Sequence, residues 1–317
     1  MIPFAQWIED HTFTPSELEG YRLCPFQFYA SSYLELDPSP EWGPELSPAE
    51  RGILLHRILE RLFTEDRSGI KAILKQELDR ITRNRPNLIP ALLRMQEGEI
   101  LKTLEQFLEK EKPPSSQQPA RREGLRPTCF EWSFGKKTPP LILEPPGNGP
   151  IPIGGRVDRI DIDRENKRFL VIDYKTGNRK ITGSQIARGE SLQLPLYILA
   201  VKELLLPDYE PIGGLYYHLS DLSCNTGILQ ADLLPERLPI SARSSTLFPK
   251  DRWESLFRLV RGRVGEIVSQ IKREQFTPSE EPCEPWCPWK DLCKIRRSAM
   301  DSGAEYCLPL MDRPTQV

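Results

Sequence analysis

The segment 151–175 predicts a β-hairpin buried within a sheet, and the rest of the fold must be built around it. Two β-rich runs, 151–162 and 168–175, lie on either side of the polar pentapeptide 163–167, which has the composition of a tight turn. Apolar side chains occupy both faces of the second run, so we expect that strand to be covered on both sides. Such a strand needs helices or further strands packed against each of its faces.

The predicted hairpin brings two acidic side chains together. With the turn centred between residues 165 and 166, paired residues have numbers that add to 331, and Asp158 lies opposite Asp173. Lys175 follows two residues later and projects from the same face as Asp173. Two carboxylates in an apolar sheet resist ionisation, and a hard divalent cation such as Mg²⁺ removes that cost. The alternative is a plain hairpin end, in which Asp158 pairs with Arg156 or Arg159 and Asp173 pairs with Lys175.

Helical patterns surround the strand-rich centre. Thr14 and Ser47 each begin a capping box and each precede a proline, which predicts a helix starting at both points. A mixed α/β core wrapped by helices follows from this arrangement. The other predicted elements are a peripheral helical insertion over 69–112, a helix over 192–205 capped by Ser191, a long amphipathic helix over 252–275, and strands at 130–134 and 211–219.

Composition restricts the possible functions only weakly. A net charge of -2 does not indicate nucleic-acid binding, but an acidic metal site leaves that function open. No apolar stretch has the length of a membrane helix, and the segment 1–6 lacks the pattern of a secretory signal, so we expect a cytoplasmic protein without a membrane partner. No G-x4-G-K-[ST] phosphate loop occurs, so no ATPase motor is expected within this sequence.

Motifs spread over most of the chain resemble those of the RecB-like nucleases in the PD-(D/E)XK superfamily. The closest subgroup is the nuclease domain of AddB-type helicase–nuclease subunits. The motifs are Gly52-Ile-Leu-Leu-His56 (G-x3-H), Glu131 within the segment 130–134, Gly154-Gly-Arg-Val-Asp-Arg-Ile-Asp161, Val171-Ile-Asp-Tyr-Lys-Thr-Gly177, and Gln193-Leu-Pro-Leu-Tyr197 (Q-x3-Y).

The resemblance implies a restriction-endonuclease-like fold, with a mixed sheet flanked by helices and with the N- and C-terminal segments joined by a metal cluster. It implies that Lys175 positions the attacking water, and that Gln193 and Tyr197, one helical turn apart, line the site and contact DNA or Lys175. Glu131 corresponds to the acidic residue that precedes the core hairpin and joins the catalytic set. The implied ligands of Mg²⁺ or Mn²⁺ are His56, Asp158, Asp173 and the backbone carbonyl of Tyr174. Gly52, one turn before His56, is expected to leave room for an approaching ligand.

Four cysteines predict a second metal site, because clustered cysteines in a reducing compartment are typical of metal ligation. Many RecB-like nucleases hold a [4Fe–4S] cluster with one N-terminal and three C-terminal cysteines, which here are Cys24, Cys283, Cys287 and Cys293. The gap between the first two C-terminal cysteines is three residues, where the family commonly has two. Zn²⁺ is the alternative occupant of a four-cysteine site. Three further cysteines are interpreted as ordinary buried or free residues: Cys129, Cys224 and Cys307. Of these, Cys307 is the one plausible substitute ligand.

The sequence therefore predicts a metal-dependent DNA nuclease. The expected activity is that of a single-strand exonuclease in DNA repair and recombination, acting alone or with a helicase. The alternative is a catalytically inactive DNA-binding or scaffold component of a helicase–nuclease complex. We expect one nuclease domain with four parts: an N-terminal segment 1–48 with Cys24, a helical region 49–128 with His56, the PD-(D/E)XK core 129–248, and a C-terminal helix and cysteine-rich segment 249–317.

Overall fold

The computed structural model describes residues 3–36, 43–65, 69–111, 124–177, 180–234, 247–279, 287–289 and 292–293. The chain divides into two compact units. The smaller unit is formed from segments within 1–10, 20–40 and 270–317, and the larger unit from 11–19 and 41–269.

Helices and strands alternate along the described chain in the order expected for a mixed α/β protein. The helices are α1 (Phe4–Asp10), α2 (Pro15–Leu23), α3 (Pro25–Phe28), α4 (Pro48–Thr64), α5 (Ile70–Asn84), α6 (Pro90–Glu111), α7 (Gly183–Ala187), α8 (Gln193–Ala200) and α9 (Lys250–Lys272). The strands are β1 (Arg126–Phe134), β2 (Leu141–Leu143), β3 (Ile151–Ile153), β4 (Gly155–Asp163), β5 (Arg168–Lys175), β6 (Glu210–His218), β7 (Ser223–Gln230) and β8 (Leu247–Phe248). No described helix is long and apolar enough to cross a bilayer.

A six-stranded mixed sheet in the order β1-β4-β5-β6-β7-β8 forms the centre of the larger unit. Strands β4 and β5 are the predicted antiparallel hairpin, and their pairs, such as Arg159 with Ile172 and Asp163 with Arg168, have numbers that add to 331 as predicted. Strand β6 lies parallel to β5 after the crossover through α7 and α8. The predicted class, a mixed sheet flanked by helices, is confirmed.

Helices α4, α5 and α6 share one apolar core with the sheet. Side chains of all three helices belong to the same buried cluster as Leu170, Ile172 and Leu215 of strands β5 and β6. The prediction that residues 69–112 form a peripheral insertion is therefore wrong. An amphipathic pattern identifies the buried face of a helix but not the surface that covers it.

Helix α8 packs closely on the sheet at β6. A Cβ atom on Gly214 would lie 3.1 Å from Leu194 and 3.2 Å from Ile198, so the glycine permits this approach. The predicted helix over 192–205 is present, as α8 continued by the π-helical turn Val201–Leu205. The predicted Ser191 cap is wrong, because the N-cap position is Leu192, which makes no side-chain capping bond.

Local sequence signals explain where the principal helices begin. Ser47 and Glu50 form the predicted capping box at the start of α4, with both reciprocal hydrogen bonds present. Thr14 and Glu17 bond in the same reciprocal way ahead of α2. The predicted single strand over 151–162 is instead divided at Gly154: the first part pairs with β2 in a separate two-stranded sheet, and the second is β4.

Aromatic side chains form the interior of the smaller unit. Phe28 and Phe276 stack with their centroids 6.3 Å apart, and Tyr29 stacks on Phe276 at 4.7 Å. The Tyr21 hydroxyl donates to the Gln275 carbonyl at 2.7 Å. These contacts join residues near the two ends of the sequence within one unit, although they lie about 250 positions apart in the chain.

Candidate active site

The site lies where strands β4 and β5 stop pairing with each other. The pairing ends at Arg159 and Ile172, one pair before Asp158 and Asp173 would meet. The Tyr174 backbone N–H instead donates to Asp158 Oδ2 at 2.8 Å. The Asp158 carboxylate therefore supplies the acceptor that a neighbouring strand would otherwise provide, and Asp158 is held beside the end of β5.

Helix α4 brings His56 to Asp158. Its Nδ1 lies 3.3 Å from Asp158 Oδ1 and 3.7 Å from Glu131 Oε1. Among the described residues, these three form a group of candidate metal ligands whose atoms all lie within 4.8 Å of one another. Burial lowers the pKa of an imidazole, but hydrogen bonds to Asp158 and Glu131 outweigh burial and raise the pKa of His56 to about 10. In this arrangement a cation, the imidazolium, lies between two carboxylates.

Glu131 reaches this group from strand β1 through an unusual backbone conformation. Its φ angle is +49°, in the left-handed region that residues other than glycine rarely adopt. The flanking pairs, Phe130 with Arg159 and Trp132 with Val157, place Glu131 level with Asp158. Non-glycine residues in this region cluster at functional sites, where the surrounding structure offsets their cost.

Asp173 and Lys175 form the second part of the site. The Lys175 ammonium lies 2.6 Å from Asp173 Oδ2. Burial and the nearby Asp158 charge raise the pKa of Asp173 to about 6, although Lys175 opposes that rise. Burial also disfavours the charge on Lys175, but Asp173 outweighs it and raises the pKa of the lysine. A carboxylate whose ionisation is penalised in this way is typical of a position that binds a cation.

Helix α8 also contacts the lysine. Lys175 Nζ donates to Gln193 Oε1 at 2.7 Å, and Gln193 Nε2 donates to the Tyr197 hydroxyl at 3.2 Å. Tyr197 fits because position 155 is glycine: a Cβ there would lie 2.9 Å from the Tyr197 ring. The two residues of the predicted Q-x3-Y motif thus lie on one helical face beside Lys175.

The glycine of the G-x3-H motif faces strand β5. A Cβ atom on Gly52 would lie 3.1 Å from the hydroxyl oxygen of Thr176, so Gly52 lets helix α4 approach the residue that follows Lys175. Gly52 therefore allows helix α4 to pack beside the residue that follows β5, and the expectation that Gly52 leaves room for a ligand stays a prediction.

The structure brings together the side chains that the sequence predicted for this site. The plain-hairpin alternative is realised only in part, since Lys175 pairs with Asp173 but Arg159 pairs with Asp161 and Arg156 with Glu131. The assignment of the Tyr174 carbonyl as a ligand stays a prediction.

Two residues beside the site were not among the predicted site residues. The Nε of Arg156 lies 2.7 Å from Glu131 Oε2, with 60% of its side chain exposed. Glu19 of helix α2 accepts hydrogen bonds from the first turn of α8. The position of Arg156 two residues before Asp158 was an available signal, because it shares the face of Asp158. Nothing in the sequence links Glu19 to a helix about 170 residues away.

The cysteines predicted as cluster ligands lie in the smaller unit. Cys24 and Cys287 pack against one apolar cluster that includes Trp289 and the buried Cys293. The donor set is therefore cysteine sulfurs in an apolar setting drawn from both ends of the sequence, which fits an iron–sulfur cluster or zinc. Cys283 and Cys307 lie outside the described residues. The other two cysteines are Cys129, whose pKa is raised by burial, and Cys224, which packs against the main core.

Comparison with known proteins identifies the family. The profile of the PD-(D/E)XK nuclease superfamily matches residues 12–294. An ATP-dependent helicase/deoxyribonuclease subunit from Lacticaseibacillus casei is 30% identical over 229 residues, 67% of this chain and 19% of that protein. Its counterpart of the same name in Moorella thermoacetica is 34% identical over 228 residues, 64% of this chain and 19% of that protein.

The matches thus cover 19% of each relative's length, about one fifth. The resemblance to RecB-like, AddB-type nucleases, predicted from the motifs, is confirmed. With the fold, the hairpin site and the profile match in agreement, the chain belongs to the PD-(D/E)XK nuclease superfamily.

Proposed function

We propose that this chain is a metal-dependent DNA nuclease. The observation that carries the proposal is the convergence of His56, Glu131 and Asp158 within 4.8 Å, beside the Asp173–Lys175 pair at 2.6 Å. An enzyme that hydrolyses phosphodiester bonds needs a site for cations next to a group that holds a water or a phosphate oxygen. Membership of the nuclease superfamily and the name deoxyribonuclease carried by its relatives support DNA as the substrate.

The cation is Mg²⁺ or Mn²⁺, because oxygen donors dominate the site. We assign Asp158, Asp173, His56 and the carbonyl of Tyr174 as its ligands, and Glu131 lies close enough to His56 and Asp158 to join them. When bound, such an ion polarises the phosphate and lowers the pKa of water. The acidic pair and the raised pKa of Asp173 support this assignment, since a divalent charge relieves the penalty on both carboxylates.

We propose that Lys175 positions the attacking water against the phosphate. Gln193 accepts a hydrogen bond from Lys175, and Tyr197 accepts one from Gln193, so helix α8 holds the lysine in addition to its contact with Asp173. A fixed ammonium stabilises negative charge as it develops on the phosphate, because it needs little reorganisation during the reaction. We propose Gln193 and Tyr197 as site residues on this ground, and Glu131 as a further catalytic residue.

The proposed substrate is narrower than DNA in general. The relatives are named as subunits of an ATP-dependent helicase/deoxyribonuclease. We propose that this chain also acts with a helicase, in DNA repair and recombination, and digests single strands from an end as an exonuclease.

Cys24, Cys283, Cys287 and Cys293 are proposed to hold a [4Fe–4S] cluster. The common apolar setting of Cys24, Cys287 and Cys293 supports a structural site. Protein purified anaerobically should show the absorbance band at about 400 nm that is expected of a thiolate-bound iron–sulfur cluster. Colourless protein that contains one zinc per chain would establish the four-cysteine zinc site instead.

End-labelled linear and circular single-stranded DNA, incubated with Mg²⁺, tests the activity. We expect cleavage of the linear strand that EDTA abolishes and that Asp173→Ala or Lys175→Ala reduces by about 10³-fold. Asp221→Asn is the matched control, because it removes an acidic side chain from an exposed ion pair with Lys180 and should keep full activity. A wild-type protein that binds DNA without cleaving it, at any divalent metal, would establish the inactive scaffold alternative. Cleavage of circles would exclude strict exonuclease action.

A further inference from the structure

We propose that Glu19 is a positioning residue, which fixes the first turn of helix α8 and thereby orients Gln193 and Lys175. This inference rests on the proposed nuclease function, because it assigns the residue that holds the lysine of that site in place. It concerns a side chain that belongs to none of the motifs that predicted the site.

The contact is made by one carboxylate oxygen. Glu19 Oε1 accepts hydrogen bonds from Leu192 N at 2.6 Å, from Gln193 N at 3.1 Å and from Ser191 Oγ at 3.1 Å. The first amides of a helix have no partner within the helix, and α8 has no side-chain cap of its own. A carboxylate at this end satisfies those amides and also interacts favourably with the helix dipole.

Two routes lead from Glu19 to the catalytic lysine. In the first, the carboxylate fixes the backbone of Gln193, whose side-chain oxygen accepts from Lys175 Nζ at 2.7 Å. In the second, Ser191 Oγ lies 2.9 Å from the Tyr216 hydroxyl, and Lys175 Nζ lies 5.0 Å from the centre of the Tyr216 ring. Both routes use one acidic side chain from helix α2, so removing it loosens both supports of the ammonium.

The lysine needs such support because its side chain has four rotatable bonds. A small misplacement of a reacting group costs up to about 100-fold in rate, even when the change lies away from the reacting atoms. We expect Glu19→Ala to lower kcat by about tenfold to 100-fold and to leave KM for DNA within about twofold. Glu19→Gln keeps an acceptor oxygen and should recover most of the lost kcat.

Glu17→Ala is the matched control. Glu17 lies on the same helix, where it bonds Thr14 at the start of α2 and lies 3.3 Å from His11, and it makes no described contact with α8. Its removal should destabilise α2 without lowering kcat. Equal losses of kcat in Glu17→Ala and Glu19→Ala would overturn the proposal, since damage to helix α2 would then explain both.

A double-mutant cycle with Gln193→Ala tests the route. If Glu19 acts through Gln193, the double variant should lose little more kcat than Gln193→Ala alone, because the second change removes a support that no longer matters. If the fold-loss of kcat in the double variant equals the product of the losses in the two single variants, the proposed route is overturned.

Hydrogen exchange of the segment 189–200 gives a readout that needs neither metal nor DNA. Glu19→Ala should speed exchange of the Leu192 and Gln193 amides, and Glu17→Ala should not. Unchanged exchange in Glu19→Ala would overturn the positioning role whatever the wild-type protein does to DNA. If Glu19→Ala speeds exchange but the wild-type protein does not cleave DNA, the proposed function is refuted and the capping contact remains established.

Discussion

Adjacent residues of strand β4 belong to two buried groups of charged side chains, and the balance between burial and ion pairing differs between the two groups. Arg159, which is 0% exposed, lies 2.5 Å from Asp161 Oδ1 through Nε and 2.8 Å from Glu111 Oε2 through Nη1. Its guanidinium also lies 5.0 Å from the centre of the Phe63 ring. Burial opposes the charge of Arg159, but Asp161 and its other partners raise its pKa further above the usual range. Within this arginine network the partners of Arg159 therefore outweigh the cost of burying its charge.

Asp158, the preceding residue, belongs to the candidate active site, where the cost of burial is not offset in the same way. There Asp173 is buried with a raised pKa, and a protonated His56 supplies the charge that a metal ion would supply. The two groups contain similar side chains and lie on opposite sides of one strand. Burial of charge therefore does not distinguish the candidate site from the arginine network. The difference is that Asp173 keeps a raised pKa, so that its ionisation is disfavoured, although Lys175 lies 2.6 Å away.

The arginine network should contribute more to stability than any part of the site. Arg159→Met leaves Asp161 and Glu111 buried without their counter-charge, and we expect a loss of about 3–5 kcal/mol in the free energy of unfolding. Urea titration measures it. The control is Arg156→Met, a mostly exposed arginine of the same strand, which should change stability by less than ~0.5 kcal/mol. Similar losses in both variants would remove the contrast between the two groups.

The candidate site should make the stability of the protein depend on pH in a range where the arginine network does not. The pKa of His56 is raised above its unfolded value of ~6.5 to about 10. Its stabilising contribution is therefore fully present below pH ~6.5 and is lost as pH rises towards 10. In metal-free buffer, Tm of the wild type should fall relative to His56→Gln over this interval. A constant difference in Tm between the two proteins would contradict the assignment.

Removing a site carboxylate should stabilise the metal-free protein. The raised pKa of Asp173 means that its ionised form is disfavoured by folding, so Asp173→Asn should add about 1–2 kcal/mol at pH 7 and abolish cleavage. The matched change in the arginine network, Asp161→Asn, should destabilise the protein. Chemical denaturation with EDTA present measures both, and a loss of stability in Asp173→Asn would show that this carboxylate is structural.

The smallest expected effect on stability comes from Ser47, which caps the helix that contributes to both the candidate site and the arginine network. Helix α4 carries His56 of the site and Phe63 of the arginine network, and Ser47 caps its first turn. Ser47→Ala should cost about 1 kcal/mol in the free energy of unfolding. The exposed Ser16 is the control, and Ser16→Ala should cost almost nothing. No change in Ser47→Ala would mean that tertiary packing alone holds the start of α4.

Local patterns allowed the hairpin and its register to be predicted, because a polar turn and a period of two fix which residues face each other. The capping boxes at Thr14 and Ser47 were predictable for the same reason. The backbone of Glu131 was not, because a left-handed glutamate has no sequence signature. The cap on α8 was assigned to the adjacent Ser191, whereas the observed acceptor, Glu19, comes from a distant helix. Strands β7 and β8 were missed, since short or polar segments gain strand structure from their neighbours.

The hydrogen bond from the Tyr174 amide to Asp158 has a consequence for the interpretation of related sequences. A chain that had abandoned hydrolysis would still need an acceptor for that buried amide, so retention of aspartate at this position does not by itself indicate enzymatic competence. Within the part of the chain that the structure describes, the side chains of Asp173 and Lys175 make no comparable hydrogen bond to the backbone. Under the proposed function, a relative that keeps Asp158 but has lost Asp173 and Lys175 is therefore expected to fold and to be unable to cleave DNA.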